Sequence, residues 1–254
     1  MNIRNKAFLL GLAMPLLLAV ELYAQKGLKI GFIALPQSTW LMNEVDWNAA
    51  KDDYNHELTF GMAAGPIFGY NFGENFGFRS NFMYSLQGQH YTSRNVDLEL
   101  VTNKIRLHYL KVPVMFGFNT NTEFSKMIFS IYAGFQANLL MKAQYQNNDQ
   151  SYISDPILWT NVLEYPSTYR QYKWLDYGPV ADIGFDVKLT YNLMTNLHFR
   201  GEYGLGDAEN KNATITKFEN GVVFKEKFYD VNRPSTQNIV GGITIGITYT
   251  FTSY

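Results

Sequence analysis

The stretch FGFRSNFMYSLQGQ, Phe76 to Gln89, decides the fold once it is read at every second residue. Phe76, Phe78, Phe82, Tyr84 and Leu86 fall on one side, and Gly77, Arg79, Asn81, Met83, Ser85, Gln87 and Gln89 on the other. A period of two is that of a β-strand with one apolar and one polar face. Periodicity does not say which face points inward. In a soluble sandwich the apolar face is the core, whereas in a transmembrane barrel it meets lipid and the polar row lines the interior.

Composition favours the second arrangement. Charged residues make up 17% of the 254 residues and aromatics 16%, with 18 Tyr and 19 Phe; ordinary soluble chains carry about 25% charge. The formal net charge of -1 and the lack of a basic block argue against a nucleic-acid partner. Cysteine is absent, which excludes disulfides, thiolate metal sites, a cysteine nucleophile and a lipid-modified N-terminal cysteine. No cofactor motif is present, and His56, His90, His108 and His198 are scattered. The first residues, MNIRNKAFLLGLAMPLLLAVELYAQ, combine a basic start at Arg4 and Lys6, an apolar run from Ala7 to Val20, and Ala24 ahead of Gln25. This is the pattern of a cleaved secretory signal peptide over residues 1–24, leaving 25–254 as the mature domain.

Beyond residue 25 everything periodic has period two. Strands are expected near 27–36, 58–70, 75–91, 104–119, 126–143, 174–191, 195–206 and 237–252. The links YNFGEN, NTNTEFS and YNLMT are short and turn-like. The other links, near 37–57, 92–103, 144–173 and 207–236, are long. Alternating short and long links describe an all-β, eight-stranded, antiparallel up-and-down transmembrane barrel, with short periplasmic turns and longer extracellular loops. The outer membrane is therefore the expected location.

The polar rows of these strands hold charges of both signs beside recurring glycines, which suits the crowded interior of an eight-stranded barrel. Arg79, Lys111, Lys142, Lys188 and Arg200 are expected inside against Asp176, Asp182, Asp186 and Glu202. Pairing across the lumen avoids the desolvation cost of a lone buried charge, and such a network implies a plug more than a pore. Arg79 is expected beside Asp182, Asp186 or Glu202. An acid/base reading of Asp182 and Asp186 is weaker, because residues four apart on a strand are well separated along one face.

In the last segment, NIVGGITIGITYTFTSY, residues Thr244, Gly246, Tyr249 and Phe251 resemble the signal by which the final strand of outer-membrane barrels engages its assembly machinery. Three further stretches, LHYLKVPVMFGF (Leu107 to Phe118), YAGFQANLL (Tyr132 to Leu140) and FRGEYGLGD (Phe199 to Asp207), are similar to strands of the PorT-like outer-membrane β-barrel family of Gram-negative bacteria. That resemblance implies the barrel fold, and one member's link to protein secretion across the outer membrane makes secretion an expectation here. Pro113 lacks a donor and fits a bulge or an unpaired position. The alternation slips around Lys104 to His108, as a bulge would make it.

Three functions stay open. The first is a non-enzymatic structural or docking barrel whose long loops meet a protein or glycan, with Trp159, Tyr165, Tyr169, Tyr172 and Trp174 of the third loop as aromatic contacts or as part of the interfacial belt. The second is a hydrolase or acyltransferase built at the rim from His90 or His108 with Ser93, Asp97 and Glu99, although no G-x-S-x-G or H-E-x-x-H motif supports it. The third is a soluble lipocalin-type binder, which needs the apolar faces inside.

Overall fold

The computed structural model describes residues 27–45, 54–73, 75–94, 99–120, 125–147, 158–161, 171–219, 222–227 and 232–252. The expected signal peptide, Asp97, Tyr165 and Tyr169 lie outside these residues. Among these residues thirteen strands are present: β1 (Gly27–Met42), β2 (Tyr54–Glu57), β3 (Thr59–Asn71), β4 (Phe76–Asn81), β5 (Met83–Arg94), β6 (Leu100–Asn119), β7 (Met127–Asn147), β8 (Leu158–Asn161), β9 (Leu175–Lys188), β10 (Leu193–Tyr203), β11 (Thr214–Glu219), β12 (Val222–Lys227) and β13 (Gln237–Thr252).

Their antiparallel pairing closes a ring of eight walls. It runs β1, β3, then β4 continued by β5, then β6, β7, β9, β10 and β13, and returns to β1. The closing seam pairs Gly27 with Thr252 at one end and Met42 with Gln237 at the other. Closure leaves the ring no unpaired edge. The small strands decorate one end: β2 prolongs the wall of β3 and pairs with β5, β8 pairs with the end of β7, and β11 and β12 form a separate hairpin.

Within this ring the opening stretch is oriented. Arg79, Asn81, Met83, Ser85, Gln87 and Gln89 are buried, while Phe76, Phe82 and Tyr84 are 63%, 47% and 51% exposed. The apolar row therefore faces outward, as it does at Phe32, Phe116, Phe135, Ile183, Phe199 and Ile245. A soluble binder of lipocalin type requires the opposite. The stretch breaks at Phe82, between β4 and β5. Pro66 on one neighbour and Pro113 on the other flank the break, and neither has an N–H to offer the ladder. The Phe82 amide still donates to the Pro66 carbonyl at 3.0 Å, and the Ser80 hydroxyl donates to the Pro113 carbonyl at 2.8 Å.

Several walls run past the limits read from hydropathy. β1 reaches Met42, and β6 begins at Leu100. The expected bulge is displaced as well. The alternation of β6 holds, with Leu107, Tyr109 and Lys111 all fully buried. The register shift lies opposite, where Tyr109 faces Leu140 and His108 faces Lys142, so the extra residue is Met141 on β7. Met141 and Lys142 both face outward while Leu140 and Ala143 point in, and this removes Lys142 from the lumen where alternation alone placed it.

The interior is less uniformly polar than the sequence suggests. Ile33, Leu35, Ala63, Ile67 and Met83 form an apolar cluster against β1 and β3. A second cluster of Leu41, Leu107, Tyr109, Leu140 and Ala143, closed over by Tyr172 and Ala208, caps the end that carries the long links. Tyr172 bridges to Glu209, and Arg233 holds the Glu209 carboxylate through Nε at 2.6 Å and Nη2 at 2.9 Å.

Candidate functional site

The lumen is organised around Asp182. Strand register places Arg200 of β10 directly opposite it on one side and Tyr132 of β7 on the other. Arg200 grips the carboxylate with two parallel bonds, Nε to Oδ1 at 2.6 Å and Nη2 to Oδ2 at 2.8 Å, the planar fork for which arginine is suited. Arg79 reaches across from β4 and donates to Oδ2 of the same carboxylate. Its guanidinium lies 4.0 Å from the centre of the Tyr132 ring, a favourable cation–π stack. Asp182 and Arg200 are almost wholly buried.

Further pairs fill the levels on either side. Lys111 donates to Glu202 Oε2 at 2.5 Å, and Gln136 donates to the same oxygen at 2.9 Å. Asp186 accepts from Ser130 Oγ at 2.6 Å and Asn196 Nδ2 at 2.6 Å, with His198 Nε2 at 2.9 Å. His198 Nδ1 sits 3.3 Å from Arg79 Nη1. Arginine can only donate, so Nδ1 is the acceptor and Nε2 carries the proton that bonds Asp186. Near the capped end, Asn238 Nδ2 donates to Asp176 at 3.0 Å and lies 3.3 Å from the Tyr109 hydroxyl.

Of the residues expected inside, Arg79, Lys111, Asp176, Asp182, Asp186, Arg200 and Glu202 thus lie together. Lys188 is half-buried at the end of β9, with its backbone N–H on the Lys126 carbonyl, and Lys142 is on the outer wall. Two participants were not counted among the interior charges. His198 stands in a polar row whose other members include Asn196, Arg200 and Glu202, and that shared parity was the available signal. Lys29 shares its inward row with Ile33 and Leu35, so a hydropathy reading of β1 hides it.

Lys29, Arg79, Tyr132, Asp186, Asn196 and Thr248 line a recess of about 20 Å³, space on the order of a single water. Close packing by glycine supports this density. A Cβ added at Gly184 would come within 2.1 Å of the Leu197 carbonyl oxygen and 2.5 Å of the His198 Cα. No cluster of metal-ligating side chains occurs among the described residues.

The hydrogen bonds of these lumen groups are spent on one another. Ser130 and His198 both spend their bonds on Asp186, so the histidine is not placed to take the serine proton. His108, expected at a rim site, is on the outer wall, with Nδ1 2.5 Å from the Tyr84 hydroxyl and Nε2 3.0 Å from Gln144 Oε1. His90 stands on the same wall, paired opposite Lys104. Of the third-loop aromatics, Tyr172 is drawn into the lumen cap and Trp174 is 59% exposed. In β13, Thr244 and Gly246 point inward, while Tyr249 and Phe251 stack edge-on at 4.8 Å on the outside, opposite Ile30 and Leu28.

Among solved structures, the chain is similar to Neisserial surface protein A (9% identity, TM-score 0.42, 88% of this chain and 97% of that one). It is also similar to OprG from Pseudomonas aeruginosa (11%, 0.43, 90% and 96%) and to the attachment invasion locus protein Ail of Yersinia pestis (12%, 0.39, 89% and 97%). No curated protein sequence matches the chain. The profile of the family described as outer membrane protein beta-barrel domain matches residues 14–210. With a closed antiparallel ring, an apolar exterior and that match over most of its length, the chain belongs to the outer-membrane protein β-barrel domain family and resides in the outer membrane.

Proposed function

We propose that this barrel is a sealed, non-enzymatic component of the outer membrane that acts as a structural or docking element through its extracellular end. The observation that carries the reading is the filled lumen. The Arg79–Asp182–Arg200 and Lys111–Glu202 groups lie across the centre, and the Leu41, Leu107, Tyr109 and Tyr172 cluster lies above them. Ions crossing such a lumen would have to break buried pairs. What remains available for function is the outside of the cap, the end that carries β2, β8 and the β11–β12 hairpin. A protein or glycan partner there, assembly through Thr244, Gly246, Tyr249 and Phe251, and a task in protein secretion are parts of the same proposal. The last is supported by the PorT-like stretches.

Single-channel recording of the purified protein in planar bilayers tests the seal, with no stepwise conductance expected. Crosslinking on intact cells, with and without residues 150–170, tests docking. Unchanged partner capture after that deletion would refute a role for the third loop, and an unchanged set of secreted proteins in a strain lacking the gene would refute the secretion task.

A further inference from the structure

The outer wall carries a second charged region that the lumen does not use. Read along β6 from the short-turn end, the outward row is Phe118, Phe116, Val114, Val112 and Leu110, followed by His108, Arg106 and Lys104, of which Arg106 is exposed and Lys104 and His108 are half-buried. Five apolar positions span about 27 Å of strand at 3.4 Å per residue. At a tilt of about 40° this is roughly 21 Å of height, close to the apolar band of outer-membrane barrels. The cations therefore begin where the hydrocarbon ends, on the extracellular side. The same change occurs on both neighbours. On β7 the apolar row ends at Met141 and is followed by Lys142 and Gln144, and on β5 Tyr84 and Leu86 are followed by Gly88 and His90.

Register gathers these residues into one patch. His90 pairs with Lys104, Gly88 with Arg106, and His108 with Lys142. Tyr84 and Gln144 both bond His108, which ties the three strands together on this face. Glu57 is the acid opposite His90 at the patch edge, and its carboxylate accepts from the Thr92 hydroxyl.

Beside the cations the wall is indented. Phe60, Met62, Leu86, Gly88, His90 and Arg106 border a groove of about 390 Å³. Gly88 is required there, since a Cβ would lie 2.0 Å from the Ile105 carbonyl oxygen. Phe60 and Met62 are 77% and 55% exposed and present an apolar flank.

We propose that this patch is a binding site for a phosphorylated, acylated glycolipid of the outer leaflet, of the lipopolysaccharide type. Lys104, Arg106 and Lys142 hold the phosphates, and an acyl chain lies in the groove against Phe60, Met62 and Leu86. Cations at the interface attract anionic lipid in general, and a guanidinium can hold a phosphate bidentately. A diphosphorylated disaccharide spreads two anionic groups apart, as Lys104 and Lys142 are spread across two strands. This goes beyond the docking role proposed above and depends only on the orientation of the barrel.

Native mass spectrometry of the protein in nanodiscs of neutral phosphatidylcholine, doped with purified diphosphoryl lipid A, tests the site. Wild type should retain lipid A, and the K104Q/R106Q/K142Q variant should retain at least tenfold less while still showing the folded, heat-modifiable band. Should that triple variant misfold, K142Q and R106Q serve instead, and each should weaken retention severalfold. Equal retention of lipid A by wild type and the folded variants would overturn the site. Equal retention of phosphatidylglycerol and lipid A by wild type would overturn the glycolipid assignment.

Discussion

Replacing Asp182 by alanine removes the one carboxylate that both Arg79 and Arg200 hold. The two cations are not left equally exposed to the loss. Arg79 keeps the Tyr132 ring at 4.0 Å and His198 Nδ1 at 3.3 Å. Arg200, whose side chain has no solvent access, keeps Glu202 at 3.9 Å, the sulfurs of Met83 and Met115, and the Asn81 amide oxygen at 3.0 Å from Nη2. Removing one partner of a buried pair costs about 3–5 kcal/mol, because the remaining charge is buried without compensation. The loss expected for D182A is therefore at least about 3–5 kcal/mol, a large fraction of the roughly 5–15 kcal/mol typical of a folded domain. Urea titration of the barrel in lipid vesicles, followed by far-UV circular dichroism, gives the number. A companion variant separates pairing from packing. In D182L/R79L/R200M all three charges are gone, and stability should return to within about 1–2 kcal/mol of wild type or exceed it. A D182A loss below about 1 kcal/mol would refute the reasoning, since it would mean that lumen water solvates Arg200 as well as the carboxylate does.

Ile245→Arg, on the lipid face midway along β13, should destabilise the barrel by about 2–4 kcal/mol in the same titration, whereas Lys142→Arg at the interface should leave it unchanged. Gly184→Val drives a side chain into the Leu197 and His198 backbone and should lose about 1–3 kcal/mol or shift the register of β9 against β10, visible in backbone amide exchange. Deleting Met141 removes the extra residue of the bulge and lets Leu140 and Lys142 follow one another in plain alternation, Leu140 inward and Lys142 outward; retention of the heat-modifiable band is the expected result. Replacing Tyr249 and Phe251 together by alanine should lower the amount of barrel in outer membranes while refolding into detergent in vitro proceeds. Equal defects in both settings would argue against an assembly role for these residues.

Much of this was legible in the sequence because the outward rows are nearly free of charge for the full height of the band. Phe76 to Gln89 alone fixes two faces, and eight such segments leave a closed ring as the economical arrangement. Arg79, Asp182 and Arg200 were legible too, since each keeps the parity of its strand. Legibility ended where the walls pass beyond the lipid. There β6 keeps its alternation but reverses its polarity: Leu107 and Tyr109 point in and Lys104, Arg106 and His108 point out. That reversal looks like a slip of register when only hydropathy is followed, which is why the bulge was expected around Lys104 to His108 instead of at Met141. The same effect hid the upper part of β1, where Gln37, Thr39 and Leu41 share the inward row. Lys142 was misplaced because one inserted residue inverts every face beyond it. Tyr172 carries no local signal for the lumen cap, because its burial depends on Leu41, Leu107 and Leu140, which arrive from three distant strands.

The seam between β1 and β13 sets a timetable for the molecule. The first wall to leave the ribosome is paired on one side only with the last, Gly27 with Thr252 and Met42 with Gln237. Contacts this remote in sequence form slowly, and until they form β1 presents a bare row of backbone donors and acceptors that any other strand can use. Closure must therefore follow completion of the chain, and every unfinished or waiting copy is an open template for aggregation. The bare edge of β1 is a hazard of the unfinished chain alone, and it disappears when the seam closes.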